Sequence, residues 1–196
     1  MAAIFEQGLP KSAANHVPLS PLTFIERSAS IYPDYPAIVH GSTRRTWGQT
    51  WARCRQLASA LEKRGIQPGQ TVAAMLPNIP AMFEAHFGVP LAGCVLNTLN
   101  IRLDAEAISY MLEHGEAKAI LVDPEFAEVI QQAVAKLTDK PLIIDVADVE
   151  FLGDTQGIGE IEYEALLNEG DADFAYQLPA DEWEAISLNY TSGTTG

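Results

Sequence analysis

The chain has 196 residues, 47% of them hydrophobic and 19% charged, with a formal charge of -14 and a pI near 4.5. That apolar content is enough to bury a core and excludes a disordered chain. The 12 Lys and Arg residues are scattered along an acidic sequence, which argues against a nucleic-acid or anionic-membrane partner.

The first residues, over 1–18, show no period and carry Gly8, Pro10 and Pro18, so they read as an arm. Ser20 as cap and Pro21 in the first turn predict a helix through Phe24, Ile25, Ala29 and Ile31. Ala37 to His40 and Thr43 to Thr46 flank Gly41-Ser42, the signature of a tight hairpin. Thr46 and Gln49 then form a capping box for a helix whose Trp47, Trp51, Cys54, Leu57 and Leu61 repeat at helical spacing until Gly65. Val72 to Leu76 reads as a buried strand. Asn78 is expected to cap the following helix, and Pro90 to kink or end it.

Gly93 to Leu96 is the next strand candidate. Asp104 caps a helix with Ile108, Met111 and Leu112 on its buried face, stopped by Gly115. Ala119 to Asp123 is a strand, Pro124 opens a helix over Phe126 to Leu137, and Leu142 to Val146 is again a strand. After Asp148 the pattern loosens into glycines and acidic residues, with a short helical candidate at Tyr163 to Leu167. Ala185 to Tyr190 reads as a last strand.

Short, wholly apolar strands alternating with amphipathic helices predict an α/β fold, a mostly parallel sheet with helices on both faces. Four spans follow: an arm over 1–18, an α/β subdomain over 19–148, a connecting excursion over 149–180, and a strand with its loop over 181–196. In such sheets ligands sit at the carboxyl ends of strands, so the loops after Leu76, Leu96, Val122 and Tyr190 are the places to look for chemistry.

Cys54 and Cys94 have no partner at metal-binding or redox spacing and read as buried thiols of a reducing compartment. With no secretory pattern at the start and no apolar stretch of membrane-spanning length, a cytoplasmic location without a membrane span is expected. His86 sits among Met82, Phe83 and Phe87 and reads as a satisfied histidine, not a base, and Trp47 and Trp51 as packing residues. Asn97, Asn100 and Arg102 follow a strand, as do Asp123 and Asp145; each can face a ligand or simply cap a turn. The acidic run over 148–173 lacks calcium-loop spacing and reads as a solvated connection.

The last strand leads without a gap into Thr191-Ser-Gly-Thr-Thr-Gly196. Glycines let the backbone approach an anion so that successive N–H groups point at phosphate oxygens, and the hydroxyls add donors. It is not a Walker loop, because Gly193 and Gly196 are only two threonines apart and no Gly-Lys pair follows. By composition alone, a flexible linker and a phosphate loop both remain open.

Tyr190 to Gly196 resembles the phosphate loop of the adenylate-forming superfamily of acyl- and aryl-CoA synthetases, luciferases and peptide-synthetase adenylation domains, in which the run continues into Pro-Lys-Gly. The hairpin into Thr46-Trp47, Gly69 to Asn78, Gly93 to Leu103, and Asp181-Glu-Trp183 are similar to the same family in the same order. Leu96 to Leu103 resembles the branch that activates short to medium fatty acids and related carboxylates.

The resemblance implies the first α/β subdomain of the large N-terminal domain of an AMP-forming acyl-CoA synthetase, incomplete at its C-terminus, using ATP, Mg2+ and CoA. A carboxylic acid would attack the α-phosphate to give an acyl-adenylate, whose acyl group then passes to the CoA thiol. Thr191, Ser192, Gly193, Thr194, Thr195 and Gly196 are the nucleotide-holding residues carried over; no catalytic or metal-binding residue is. The family's catalytic lysine, magnesium-holding glutamate and most of its acyl pocket lie in later sequence, so the isolated chain is expected to be inactive. Alternatives are an adenylating enzyme with a carrier-protein or other acceptor, and a non-catalytic fragment that forms a homodimer over an open sheet edge.

Overall fold

A computed structural model describes residues 3–150 and 156–191. Helix α1 (Leu22–Ile31) begins where Ser20 Oγ accepts from the Leu22 N–H, and it buries Leu22, Ile25 and Ala29. The hairpin forms as expected from β1 (Pro36–His40) and β2 (Thr43–Thr46), antiparallel, with Gly41 at φ +50° in the left-handed region that the turn requires. Helix α2 (Trp47–Lys63) starts at the predicted capping box, with both reciprocal bonds between Thr46 and Gln49 present, and gives out just before Gly65 at φ +86°.

The sheet follows from strands β3 (Thr71–Met75), β4 (Val95–Thr98), β5 (Ala117–Val122), β6 (Leu142–Asp145), β7 (Ile161–Glu162) and β8 (Ser187–Leu188). Its order is β7-β6-β5-β3-β4-β8, and every pairing in it is parallel. Parallel neighbours need crossovers, and these are α3 (Pro80–Leu91), α4 (Ala105–His114) and α5 (Ala127–Val134).

The two faces are covered differently. Val72, Ala74 and Leu96 turn toward α1, α2, α3 and, later in the chain, α6 (Tyr163–Glu169). Ala73, Met75, Ile120 and Val122 turn toward α4 and α5. Alternate residues of the same strand therefore feed two separate cores, the reason these strands are apolar throughout instead of alternating.

Several boundaries differ from expectation. Asn78 does not cap α3; Ile79 occupies the cap position without a side-chain bond and Pro80 opens the first turn, where its missing N–H costs nothing. Pro90, in contrast, behaves as expected: it lies in the last turn of α3, and the helix ends one residue later. The helix after Asp123 is a 3-10 turn (Pro124–Phe126) that runs on into α5. The span 149–180 supplies β7, the outermost strand on its side, and α6, which buries Tyr163, Leu166 and Leu167 against α2.

Candidate functional site

Because every strand of the sheet is parallel, the loops after β3, β4, β5 and β8 all leave from one edge. β8 is the outermost strand beside β4, with Leu96 opposite Ser187 and Asn97 opposite Leu188. The Leu96 N–H also donates to the carbonyl of Ile186 at 3.0 Å. Regular pairing thus covers two residues where the sequence pattern spans Ala185 to Tyr190, because a strand with a neighbour on one side only has half the ladder to hold it. Thr191, beyond the end of this strand, is exposed. Ser192, Gly193, Thr194, Thr195 and Gly196 lie outside the described residues.

Three contacts hold the segment around β8. Glu182 Oε1 accepts from the Leu19 N–H at 2.7 Å, tying the approach to the start of α1. Asp181 and Glu184 close a turn on each other, with the Asp181 side chain accepting from the Trp183 N–H at 3.0 Å. Beyond the strand, Tyr190 packs on α4: its hydroxyl lies 2.8 Å from His114 Nδ1 and donates toward the Met111 carbonyl at 3.4 Å. The Tyr110 ring stacks on His114 at 5.3 Å between centroids and meets Tyr190 edge-on at 6.4 Å. Burial, then the neighbouring Tyr110, raises the Tyr190 pKa, so its hydroxyl keeps its proton at neutral pH.

Gly115 is what lets α4 come this close. A Cβ there would lie 2.8 Å from the Met111 carbonyl oxygen, 3.1 Å from Leu188 and 3.3 Å from the Asn97 amide nitrogen. Asn97 itself is fully buried in β4, and neither end of its amide has a hydrogen-bond partner among the described residues. It is an interior residue of the sheet and not a loop residue, as its position after Leu96 had suggested. Asn100 turns inward on the chain, its side chain accepting from the Arg102 N–H at 3.0 Å.

The other candidates resolve into local structure. Asp123 accepts from the Glu125 N–H at 2.9 Å as the cap of the 3-10 turn, and burial raises its pKa against that bond. Asp145 accepts from the N–H groups of Ile158 and Gly159 and pins the segment before β7. His86 Nδ1 is satisfied by the Met82 carbonyl at 2.7 Å and rims an open groove of about 500 Å³ formed with Phe83 and Phe87. His40 pairs with Asp148 at 2.9 Å, and Glu150 accepts from both the backbone and the hydroxyl of Ser42, which latches the hairpin tip to the loop after β6. Trp47 and Trp51 pack as expected, against Phe83 and Tyr176.

One charged cluster escaped the sequence reading. Glu84, on α3, has no solvent access, and its carboxylate accepts from Arg45 at 2.8 Å, Arg53 at 2.7 Å and the Tyr163 hydroxyl at 2.9 Å. Glu164 closes the cluster through Arg53 at 2.6 Å. Burial works against the Arg53 charge, but hydrogen bonds to Glu164 and Glu84 outweigh it and keep its pKa raised. Burial, then Glu84, raises the pKa of both Tyr163 and Cys54, so neither ionises near neutrality. Two cations and two anions with their bonds satisfied make a structural joint between β2, α2, α3 and α6, not a reactive centre. A glutamate inside the apolar run Met82 to Phe87 was the available signal.

Among the described residues no three His, Cys, Asp or Glu side chains are grouped to hold a metal ion. No helix among them is long and apolar enough to cross a membrane.

The sequence pattern of the AMP-binding enzyme family matches residues 25–196. Acetate/butyrate--CoA ligase AAE7, peroxisomal, of Arabidopsis thaliana is 46% identical over 95% of this chain, and acetate--CoA ligase CCL3 of Humulus lupulus is 45% identical over 95%. The chain spans 35% of the length of each. Among solved structures, the anthranilate CoA ligase AuaEII in complex with anthranoyl-AMP superposes with a TM-score of 0.82 at 20% identity, over 95% of this chain and 35% of that one. The N-terminal domain of FACL13 from Mycobacterium tuberculosis gives 0.70 at 27% identity, over 89% of this chain and 42% of that one.

Proposed function

The chain belongs to the AMP-binding enzyme family, and we propose that it forms the first α/β part of an AMP-forming carboxylate–CoA ligase acting on a short to medium fatty acid or a related carboxylic acid. The observation that carries this reading is a parallel edge strand, Ser187–Leu188, that leads within three residues to Thr191 and in sequence to Ser-Gly-Thr-Thr-Gly, in a chain 46% identical to an acetate/butyrate ligase. A strand end of this kind offers backbone N–H groups and hydroxyls to an anion, and it stands at the sheet edge where ligands of open parallel sheets bind.

In this reading Thr191, Ser192, Gly193, Thr194, Thr195 and Gly196 hold the β and γ phosphates of ATP. The substrate carboxylate attacks the α-phosphorus in line, pyrophosphate leaves, and the acyl group then passes from AMP to the CoA thiol. Mg2+ would supply charge neutralisation on the phosphates. The loop's share is positioning: holding the leaving group opposite the attacking oxygen lowers the entropy cost of the step. The span 149–180 then connects two parts of a larger domain.

Fatty acid metabolism is the role proposed, in the cytoplasm, where the buried thiols Cys54 and Cys94 stay reduced. A homodimer that covers the outer edge of β8 is the expected assembly.

The test is pyrophosphate release by the full-length protein with ATP, Mg2+ and carboxylic acids of increasing length, against residues 1–196 alone. Release that depends on carboxylate, and that continues beyond one turnover only with CoA, is expected in the full-length protein, with none from the shorter chain. Turnover by residues 1–196 alone, or adenylate formation that CoA cannot discharge, would overturn the reading. Light scattering checks the dimer, and imaging of the full-length protein checks its location.

A further inference from the structure

Among the described residues, the chain leaves the edge strand β8 toward Thr191 with few contacts to direct it. Regular pairing to β4 ends at Leu188, and among the described residues the Asn189 side chain bonds to Ser187 at 3.4 Å. After that the side-chain contacts are those of Tyr190, which stands directly before Thr191. Its hydroxyl meets His114 Nδ1 at 2.8 Å, and the stacked Tyr110 ring holds the imidazole plane.

We infer that His114, on the last turn of α4, is a positioning residue for the nucleotide: through the Tyr190 hydroxyl it fixes the direction in which the chain leaves β8 and enters the phosphate loop. The inference rests on the proposed ligase function and adds to it a residue remote in sequence from the loop.

Three observations favour positioning over bulk stability. First, the cluster lies at the surface, with His114 exposed and Tyr110 58% exposed, so little apolar area is gained by forming it. Second, the bond survives either tautomer: with Tyr190 donating to the Met111 carbonyl, the ring N–H donates to the hydroxyl oxygen, and with Nδ1 unprotonated the hydroxyl donates to it. Third, Gly115 lets the end of α4 pack against β8: a Cβ there would lie 3.1 Å from the Leu188 side chain of β8 and 3.3 Å from the Asn97 amide of β4, so the helix end and the loop root sit close together.

The test is steady-state kinetics on the full-length ligase with H114A, Y190F, the double variant and H114N, whose side-chain amide can reach the Nδ1 position. One exposed hydrogen bond predicts an ATP KM raised about 3- to 10-fold in H114A and in Y190F. The carboxylate KM, kcat and melting temperature should stay near wild type. The double variant should be no worse than either single one, and H114N should restore the ATP KM.

An ATP KM unchanged in both single variants overturns the inference, as does a parallel rise of the ATP and carboxylate constants with a fall in melting temperature. Should H114A fail to fold, Y190F, which loses one oxygen, carries the test. If the wild-type protein releases no pyrophosphate with any carboxylate, the ligase reading itself fails. If it does and the variants do not differ, only the role of His114 falls.

Discussion

The joint around Glu84 and the edge at β8 are opposite solutions to holding a polar group. At the joint, four elements converge on one carboxylate and leave it no water, with arginine and tyrosine donors replacing its hydration. At the edge, two residues pair with the sheet, and a half-buried tyrosine is steadied by an exposed histidine. Charge of high local cost is found where the fold is over-determined. The described residues that lead toward the proposed phosphate loop are found where it is not, which suits the role proposed for that segment.

The largest test of that contrast is E84A. It strands the Tyr163 hydroxyl and leaves Arg45 and Arg53 with Glu164 as their one anion in the joint, and a loss of about 3–5 kcal/mol is expected in urea denaturation. A loss below ~1 kcal/mol would mean that the joint holds nothing together. Next is G88A, at the crossing of α3 on α2. Its Cβ would sit 2.7 Å from Leu57 Cδ2 and 3.0 Å from the Cys54 carbonyl, with an expected cost of about 1–3 kcal/mol in the same measurement.

Smaller still is the acid limb of stability. Hydrogen bonding to Arg53 lowers the Glu164 pKa below its ordinary 4.5, so its contribution is fully present above that pH and disappears as pH falls through the depressed value. E164Q should flatten that limb in thermal scans between about pH 5 and 2, modestly, because the side chain is half exposed. The smallest effect belongs to the edge. N97L, in β4 beside that edge, removes a buried amide without partners among the described residues and should leave stability unchanged or raise it by up to about 1 kcal/mol. A marked loss would show that the amide is satisfied after all.

What could be read from the chain was local. The Thr46–Gln49 box, the Gly41 turn, the Asp104 cap and the apolar runs of the central strands specify their elements through neighbours a few residues away, and these are the places where expectation and structure coincide. Asn78 failed as a cap because Pro80 starts the helix one step later. β7 gave no signal, since two residues flanking a glycine-rich stretch have no period to read.

The Glu84 joint is built between residues from Arg45 to Glu164 and depends on which helices face each other, which hydrophobic spacing does not encode. At the candidate site the loop was recognisable from its glycines and hydroxyls, but its support was not. His114 carries no motif of its own, and nothing in the sequence connects it to Tyr190.

The place of β8 in the sheet also orders events in time. Its partner β4 is made early, and Leu96 must wait for Ser187 while β5, β6 and β7 can assemble on the other side of β3. A parallel pairing across so long a stretch of chain is slow to form, because loop closure must be met before the contact stabilises anything. During synthesis, then, the core around β3 can be complete before the loop-bearing strand docks, and the open flank of β4 is the surface a chaperone or a misplaced strand would find first.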